Sequence, residues 1–201
     1  PKLMQGEADI AAIPSNLASV LYNKSAGNIR VAAVNTLGVL SIVSTDPSVK
    51  TWSDLEGKTI LATGKQTVPE LTLRTLLKKN GLDPDKDVTM DWKTEPTEVV
   101  GVLSKTGGIA MLPQPFVTVA QTKVKGLEIV LDLTDEWKSA SEKEMVTGVV
   151  VVRKEFAETN KAALDLFLAE YASSIEFINK NVEEGAALVE KYDIVKAPIA
   201  K

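Results

Sequence analysis

The chain of 201 residues contains no cysteine and no histidine. Without a thiol or an imidazole there is no thiolate nucleophile, no imidazole base, no Ser-His-Asp arrangement and none of the usual zinc or haem ligand sets. Most enzyme mechanisms are thereby removed; chemistry using only carboxylates and lysines stays open, but no convincing acid–base pair is visible, and the expectation is a protein that is not an enzyme, with no catalytic residue, no metal site and no cofactor. Arginine is nearly absent too, with only Arg30, Arg74 and Arg153 in the whole chain. The net charge is −4 and the lysines are scattered, which leaves no electrostatic footprint for nucleic acid or for an anionic membrane surface. No apolar run reaches the roughly 18 to 20 residues of a membrane span, and no signal peptide is visible. The chain opens at Pro1, directly ahead of the helix-like "KLMQGEADIAAI". From this a removed leader and further folded sequence upstream are expected, and the lack of cysteine fits an extracytoplasmic setting.

What is present is a regular alternation of strand and helix patterns, carried by 44% apolar residues, enough to bury a core in one large domain or two small ones. "ADIAAI" reads as a buried strand, and "SNLASVLYNK" as a helix with Ser15 or Asn16 as N-cap. "NIRVAAVNT" is the next strand, and "GVLSIVST" an extended segment. The pattern restarts at Lys58 with the strand "KTILATG" and the helix "PELTLRTLLKKNGL". In that helix Leu73, Leu76 and Leu77 share one face, Pro69 suits the first turn, and "NGL" is a glycine stop followed by an apolar residue. The order "DVTMDWKT", "PTEVVGVLSKTG", "GIAMLP", "PFVTVAQTK", "LEIVLDL" continues strand, helix, strand, helix, strand, and "VTGVVVVRKEF" is a strongly β-branched strand. Beyond it the chain is helical. Leu164, Phe167, Leu168, Tyr171, Ile175 and Ile178 form one stripe at spacings of three and four, expected to dock as core. This alternation predicts an α/β fold with a mostly parallel sheet.

The chain also repeats itself. "IAAIPSNLASVLYNK" at Ile10 and "IAMLPQPFVTVAQTK" at Ile109 share five of fifteen positions at an offset of 99, and "RVAAVNT" and "IVLDLTD" extend the echo. Two similar sheet-and-helix halves are predicted, joined by the extended segments "GVLSIVST" and "VTGVVVV". Ligands in open α/β sheets bind beyond the carboxyl ends of strands, where helix N-termini present unpaired N–H groups. The loops in such places are Pro14 to Asn16, Asn35 with Thr36, Thr63 to Thr67, Pro113 to Pro115, and Thr147 with Gly148. Each also serves as ordinary turn or cap chemistry. "TGKQT" lacks the glycine and lysine–Ser/Thr spacing of a nucleotide P-loop, although Lys65 suits an anionic ligand. Glu95 and Glu98 flank a proline ahead of a helix and read as capping residues. Trp52, Trp92 and Trp137 read first as packing residues; Trp137, which follows a strand end although its "TDEW" also reads as a helix start, is the least easily dismissed as a stacking residue for a ligand.

The runs "GEADIAAIPSN", "VNTLGVLSIV", "SDLEGKTILATGKQTVPE", "LPQPFVT" and "VTGVVVVRKEFAE" resemble the extracytoplasmic substrate-binding proteins of ABC importers, in particular the nitrate, sulfonate, taurine and thiamine-precursor binding group. The resemblance implies a two-lobed periplasmic-binding-protein-like fold of type II with two hinge strands, here truncated at both ends. Lobe 1 would comprise residues 1–42 and 148–201, and lobe 2 residues 43–147. It implies capture of a small solute by hinge closure and delivery to a membrane permease, by a monomeric periplasmic protein or surface lipoprotein. Carried over by position, the ligand contacts would be Ser15, Asn16, Asn35 and Thr36 from one lobe. Thr63, Gly64, Lys65, Gln66, Thr67 and Gln114 would come from the other, with Thr147 near the hinge. The chain departs from nitrate and sulfonate binders in offering "LPQPF" where an aromatic or a strong cation is usual, so a neutral or heteroaromatic, pyrimidine-like solute fits as well as an anion. The alternative is the ligand-sensing effector domain of a transcription regulator, which shares this architecture and length.

Overall fold

The computed structural model describes residues 2–200. They form two compact units. One comprises the residues up to Ile13, Ala18–Asn35 and the residues from Val149 onward; the other comprises Pro14–Leu17 and Thr36–Gly148.

The second unit is a sheet covered on both faces. Its five strands are β3 (Leu40–Ser44), β4 (Thr59–Ala62), β5 (Thr89–Trp92), β6 (Ile109–Pro113) and β7 (Glu128–Asp132), in the order β5-β4-β6-β3-β7. Side chains alternate across a strand, and the sequence uses both faces for apolar groups. Ile60 and Ala62 of β4, Ile109 and Met111 of β6, and Ile42 of β3 point into one core. Leu61, Ala110, Leu112 and Val43, their immediate neighbours in sequence, point into a second core. Helices α3 (Val68–Lys79) and α6 (Leu133–Ser141) cover the first core through Leu73, Leu76, Leu77 and Leu133, all fully buried. On the other side α4 (Pro96–Thr106) and α5 (Phe116–Lys123) contribute Val99, Val100, Leu103, Val117 and Ala120.

The expectation of a mostly parallel sheet needs correction. β4 runs parallel to β5 and β6, whereas β3 pairs antiparallel with both β6 and β7. The segment "GVLSIVST", expected as an extended connection between halves, supplies this strand; all five residues of β3 are buried, with Ile42 opposite Met111. Its run Leu-Ser-Ile-Val-Ser carries two small polar side chains, and Ser41 and Ser44 are only 5% and 2% exposed.

Helix α3 ends as its sequence predicts. Gly81 has φ +83°, the Gly81 N–H donates to the Lys78 carbonyl at 3.1 Å, and the Leu82 N–H donates to the Leu77 carbonyl at 3.0 Å. This is a Schellman stop, with Leu82 folded back into the core. Glu98 also behaves as a cap, its Oε2 accepting the Thr94 N–H at 3.0 Å ahead of α4.

The first unit holds a three-stranded sheet of β1 (Ile10–Pro14), β8 (Val146–Arg153) and β2 (Ile29–Leu37) in the order β1-β8-β2, with α2 (Ser15–Lys24) following β1. The short α1 (Lys2–Gln5) precedes it, and α7 (Lys154–Thr159), α8 (Lys161–Lys180), α9 (Val182–Lys191) and α10 (Ala197–Ala200) close the chain. The predicted repeat is visible in the elements: β1, α2, β2 and β6, α5, β7 are both strand, helix, strand at the expected offset.

The apolar stripe of α8 is a second correction. No described residue of α8 is buried, and Ile175 and Ile178 are 44% and 47% exposed. Phe167 and Tyr171 stack on each other with ring centroids 5.7 Å apart, and α8 packs chiefly against its sequence neighbours α7 and α9 rather than docking on a sheet. A helical period shows which face is apolar; whether anything covers that face depends on the rest of the fold.

Candidate functional site

A cavity of about 270 Å³ opens within the second unit. Ser15 and Asn16 reach it from the corner after β1, Val68, Leu71, Thr72 and Thr75 from α3, Trp137 from α6, and Met145 and Val146 from the start of β8. The four α3 residues stand at i, i+3, i+4 and i+7, so they form a stripe beside the Leu73, Leu76 and Leu77 stripe that faces the core. One helix thus carries two faces with two tasks.

The hydroxyl groups of the cavity are tied inward. Ser15 Oγ donates to the Val146 carbonyl at 2.8 Å, joining residues 131 apart. Thr75 Oγ1 donates to the Leu71 carbonyl at 2.7 Å, and Thr72 Oγ1 donates to Met145 Sδ at 3.6 Å. Asn16 is different: its Oδ1 is buried and has no hydrogen-bond partner. An amide oxygen in that position costs about 1–3 kcal/mol unless a donor reaches it.

The remaining sequence-predicted residues sit outside this lining. Thr147 Oγ1 lies 3.2 Å from both the Thr36 and Gly38 carbonyls, and the Gly38 N–H donates to the Met145 carbonyl at 2.8 Å. Gly38 has φ +70°, and a Cβ there would lie 2.1 Å from Thr134 Oγ1, so only glycine allows this approach. Asn35 lies in the first unit and Thr36 in the second, both on β2.

The loop Thr63 to Thr67 is an organised helix entry. Thr63 is 7% exposed, Gly64 has φ +79°, and Thr67 Oγ1 donates to the Gly64 carbonyl at 2.7 Å. Gln66 also has a positive φ, and its N–H donates to Glu70 Oε2 at 2.6 Å. Lys65 is exposed. Gln114, followed by a cis bond to Pro115, turns its side chain onto its own helix, where Oε1 accepts from Thr118 Oγ1 at 3.1 Å.

Charge near the cavity is already paired. The Gln66 N–H first, and then Arg74, hold the Glu70 carboxyl below the usual glutamate range against the opposing effect of burial. Arg74 bridges Glu70 at 2.8 Å and Asp85 at 2.7 Å. Trp52, buried in the core, donates its indole N–H to Glu136 at 2.7 Å, and Trp92 packs against the same core. Trp137, singled out from the sequence, is the tryptophan that lines the cavity. Sequence reasoning missed Val68, Leu71, Thr72, Thr75, Met145 and Val146; the second stripe of α3 was the available signal. Among the described residues no group of three or more Asp and Glu side chains is placed to hold a metal ion, and no helix is long and apolar enough to cross a membrane.

The fold is shared with solved binding proteins. An ABC transporter from Parabacteroides distasonis superposes with a TM-score of 0.75 at 24% identity, over 99% of this chain and 68% of that one. The periplasmic aliphatic sulphonate binding protein SsuA from Escherichia coli gives 0.78 at 20% identity, over 98% of this chain and 65% of that one. The alkanesulfonate-binding protein from Xanthomonas axonopodis pv. citri, bound to MOPS, gives 0.71 at 12% identity, over 99% and 66%. The chain thus spans about two thirds of the length of these structures. It has the two-sheet α/β architecture of the periplasmic-binding-protein-like group expected from its sequence. No curated protein matches the chain.

A family model described as menaquinone biosynthesis matches residues 1–199. This match overturns the expectation that the protein is not an enzyme, because a biosynthetic family points to enzymatic activity. The missing histidine and cysteine remove two kinds of catalytic group, while carboxylates, lysines and hydroxyls remain available as acids, bases and nucleophiles. Matched along almost its entire length, the chain belongs to the menaquinone biosynthesis family.

Proposed function

We propose that the chain binds and transforms a small ring-bearing precursor in menaquinone biosynthesis, using the cavity bounded by α2, α3 and α6. The family match over residues 1–199 carries this reading. The cavity supports it: about 270 Å³ accommodates one small ring compound, Trp137 offers a flat apolar surface, and Asn16 with three hydroxyl groups offers polar contacts. Ser15 and Asn16 come to it from the loop expected to bind ligand. Deleting the gene in its host should deplete menaquinone, measured by mass spectrometry of extracted lipids. Normal menaquinone content in the deletion strain would end this reading.

A second reading is favoured by the likeness to importer components. In it the chain is the solute-binding component of an ABC importer, acting outside the cytoplasm as a periplasmic or lipid-anchored protein. It would present a nitrate-, sulfonate- or pyrimidine-like solute to a membrane permease. The two readings part on the fate of the ligand. Incubation with purified protein leaves an imported solute chemically unchanged, whereas a biosynthetic precursor is consumed and a product of different mass or structure appears.

A further inference from the structure

We infer that the groove between α8 and α9 in the first unit seats a second copy of this chain, the two α9 helices packing antiparallel about a two-fold axis. The groove holds about 390 Å³ and is lined by Phe177 from α8 and by Glu184, Ala187, Leu188 and Lys191 from α9. It shares no residue with the cavity of the second unit, so the pairing stands or falls apart from either reading of function.

The shape of the groove follows from the sequence of α9. Its four lining residues stand at i, i+3, i+4 and i+7, one stripe of the helix. Gly185 and Ala186 beside them are buried, and a Cβ on Gly185 would lie 3.3 Å from the Ile178 side chain, so α9 sits close on α8 at that point. The lining stripe is left open. Phe177 and Leu188 are 40% and 39% exposed next to the short side chain of Ala187, and Val182, Tyr192 and Ile194 are exposed at the two ends of α9. Projecting side chains beside a small one fit a copy of themselves, knob into hole. Charge favours the copy over other partners. The neighbouring pairs Lys161 with Asp165, Lys180 with Glu176 and Lys196 with Glu190 are closed within the chain. Among the described residues Glu184 and Lys191 have no ion-pair partner; Lys191 only lies over the Tyr192 ring, 5.8 Å from its centroid. These two open charges are of opposite sign, two turns apart, with Ala187 and Leu188 midway between them. Against an antiparallel copy, Glu184 meets the partner's Lys191 and Lys191 meets the partner's Glu184, the self-complementary arrangement a two-fold axis requires. Parallel packing would oppose like charges. A membrane is a poor occupant, since α9 carries Glu183, Glu184 and Glu190 against the single Lys191, the wrong balance for an anionic lipid surface.

Analytical ultracentrifugation of the full chain over a concentration series from micromolar to millimolar tests this, with charge reversal as the probe. The parent should show a monomer–dimer equilibrium. Glu184→Lys and Lys191→Glu each set like charges against each other and should weaken the dimer at least about tenfold. The double variant exchanges the signs and should recover the parent's dimer, and an equal mixture of the two single variants should form a heterodimer, because each then supplies the charges the other lacks. Thermal melts confirm that the variants fold, both substitutions being at the open face of the helix. A parent that stays monomeric throughout overturns the inference and leaves the groove to a partner of another sequence. A dimer indifferent to the single reversals, or a double variant that does not recover it, overturns it as well, since the contact then lies on another face or in another register.

Discussion

At the scale of single residues, the cavity and its surroundings differ in how their polar groups are satisfied. Asn16 Oδ1 is buried without a partner, so Asn16→Leu removes an unsatisfied acceptor. In the absence of ligand this variant should be no less stable than the parent in urea denaturation, and a loss above about 1 kcal/mol would show that the oxygen is paired in solution. Glu70 is the opposite case. The Gln66 N–H and Arg74 depress its folded pKa below the ordinary 4.5, so the charged form contributes stability in full above that value. The contribution is lost as pH falls below 4.5 through the depressed folded value. Glu70→Gln should therefore lower the melting temperature at pH 7 and shrink the drop between pH 5 and pH 2; a parallel pH profile for parent and variant would refute this. Ser15 and Asn16 were legible as "PSN" after an apolar strand. Gln114, read from a similar corner, turns onto Thr118 instead. Side-chain direction is set by neighbours the loop does not contain.

At the scale of elements, helix ends and strand alternation were the most legible features, because both depend on chemistry within a few residues. Gly81→Ala keeps open space around its Cβ but forces a left-handed conformation on alanine. It should cost about 1–2 kcal/mol, read from chemical denaturation. The two apolar stripes on α3 and α8 look alike in sequence and differ in consequence. Leu76→Ala, at a fully buried position, should destabilise by about 2–5 kcal/mol. Ile175→Ala, at a position 44% exposed, should cost under about 1 kcal/mol. Similar losses at the two sites would mean that α8 is covered in solution. The segment expected only as an extended connection between halves is β3. Pairing with β6 and β7, nearly seventy and ninety residues further along, makes it a core strand.

At the scale of the whole molecule, burial is unevenly divided between the units. Val31, Val34, Leu166, Ile175 and Ile178 are among the exposed large apolar side chains of the first unit. The second unit encloses two cores around one sheet. Hydrogen exchange should accordingly be slowest in β3, β4 and β6 and faster in β1 and β2. Equal protection in both sheets would contradict this. The sequence by itself determined the strand–helix alternation, the internal repeat, the helix stops and the exclusion of thiol and imidazole chemistry, since each follows from residue identity or short-range periodicity. Only the tertiary structure decided that β3 enters a mixed sheet, that α8 keeps an open apolar face, and that Ser15 meets Val146 beside Trp137. These depend on contacts between residues far apart in the chain, and local patterns encode which face is apolar without encoding what will cover it.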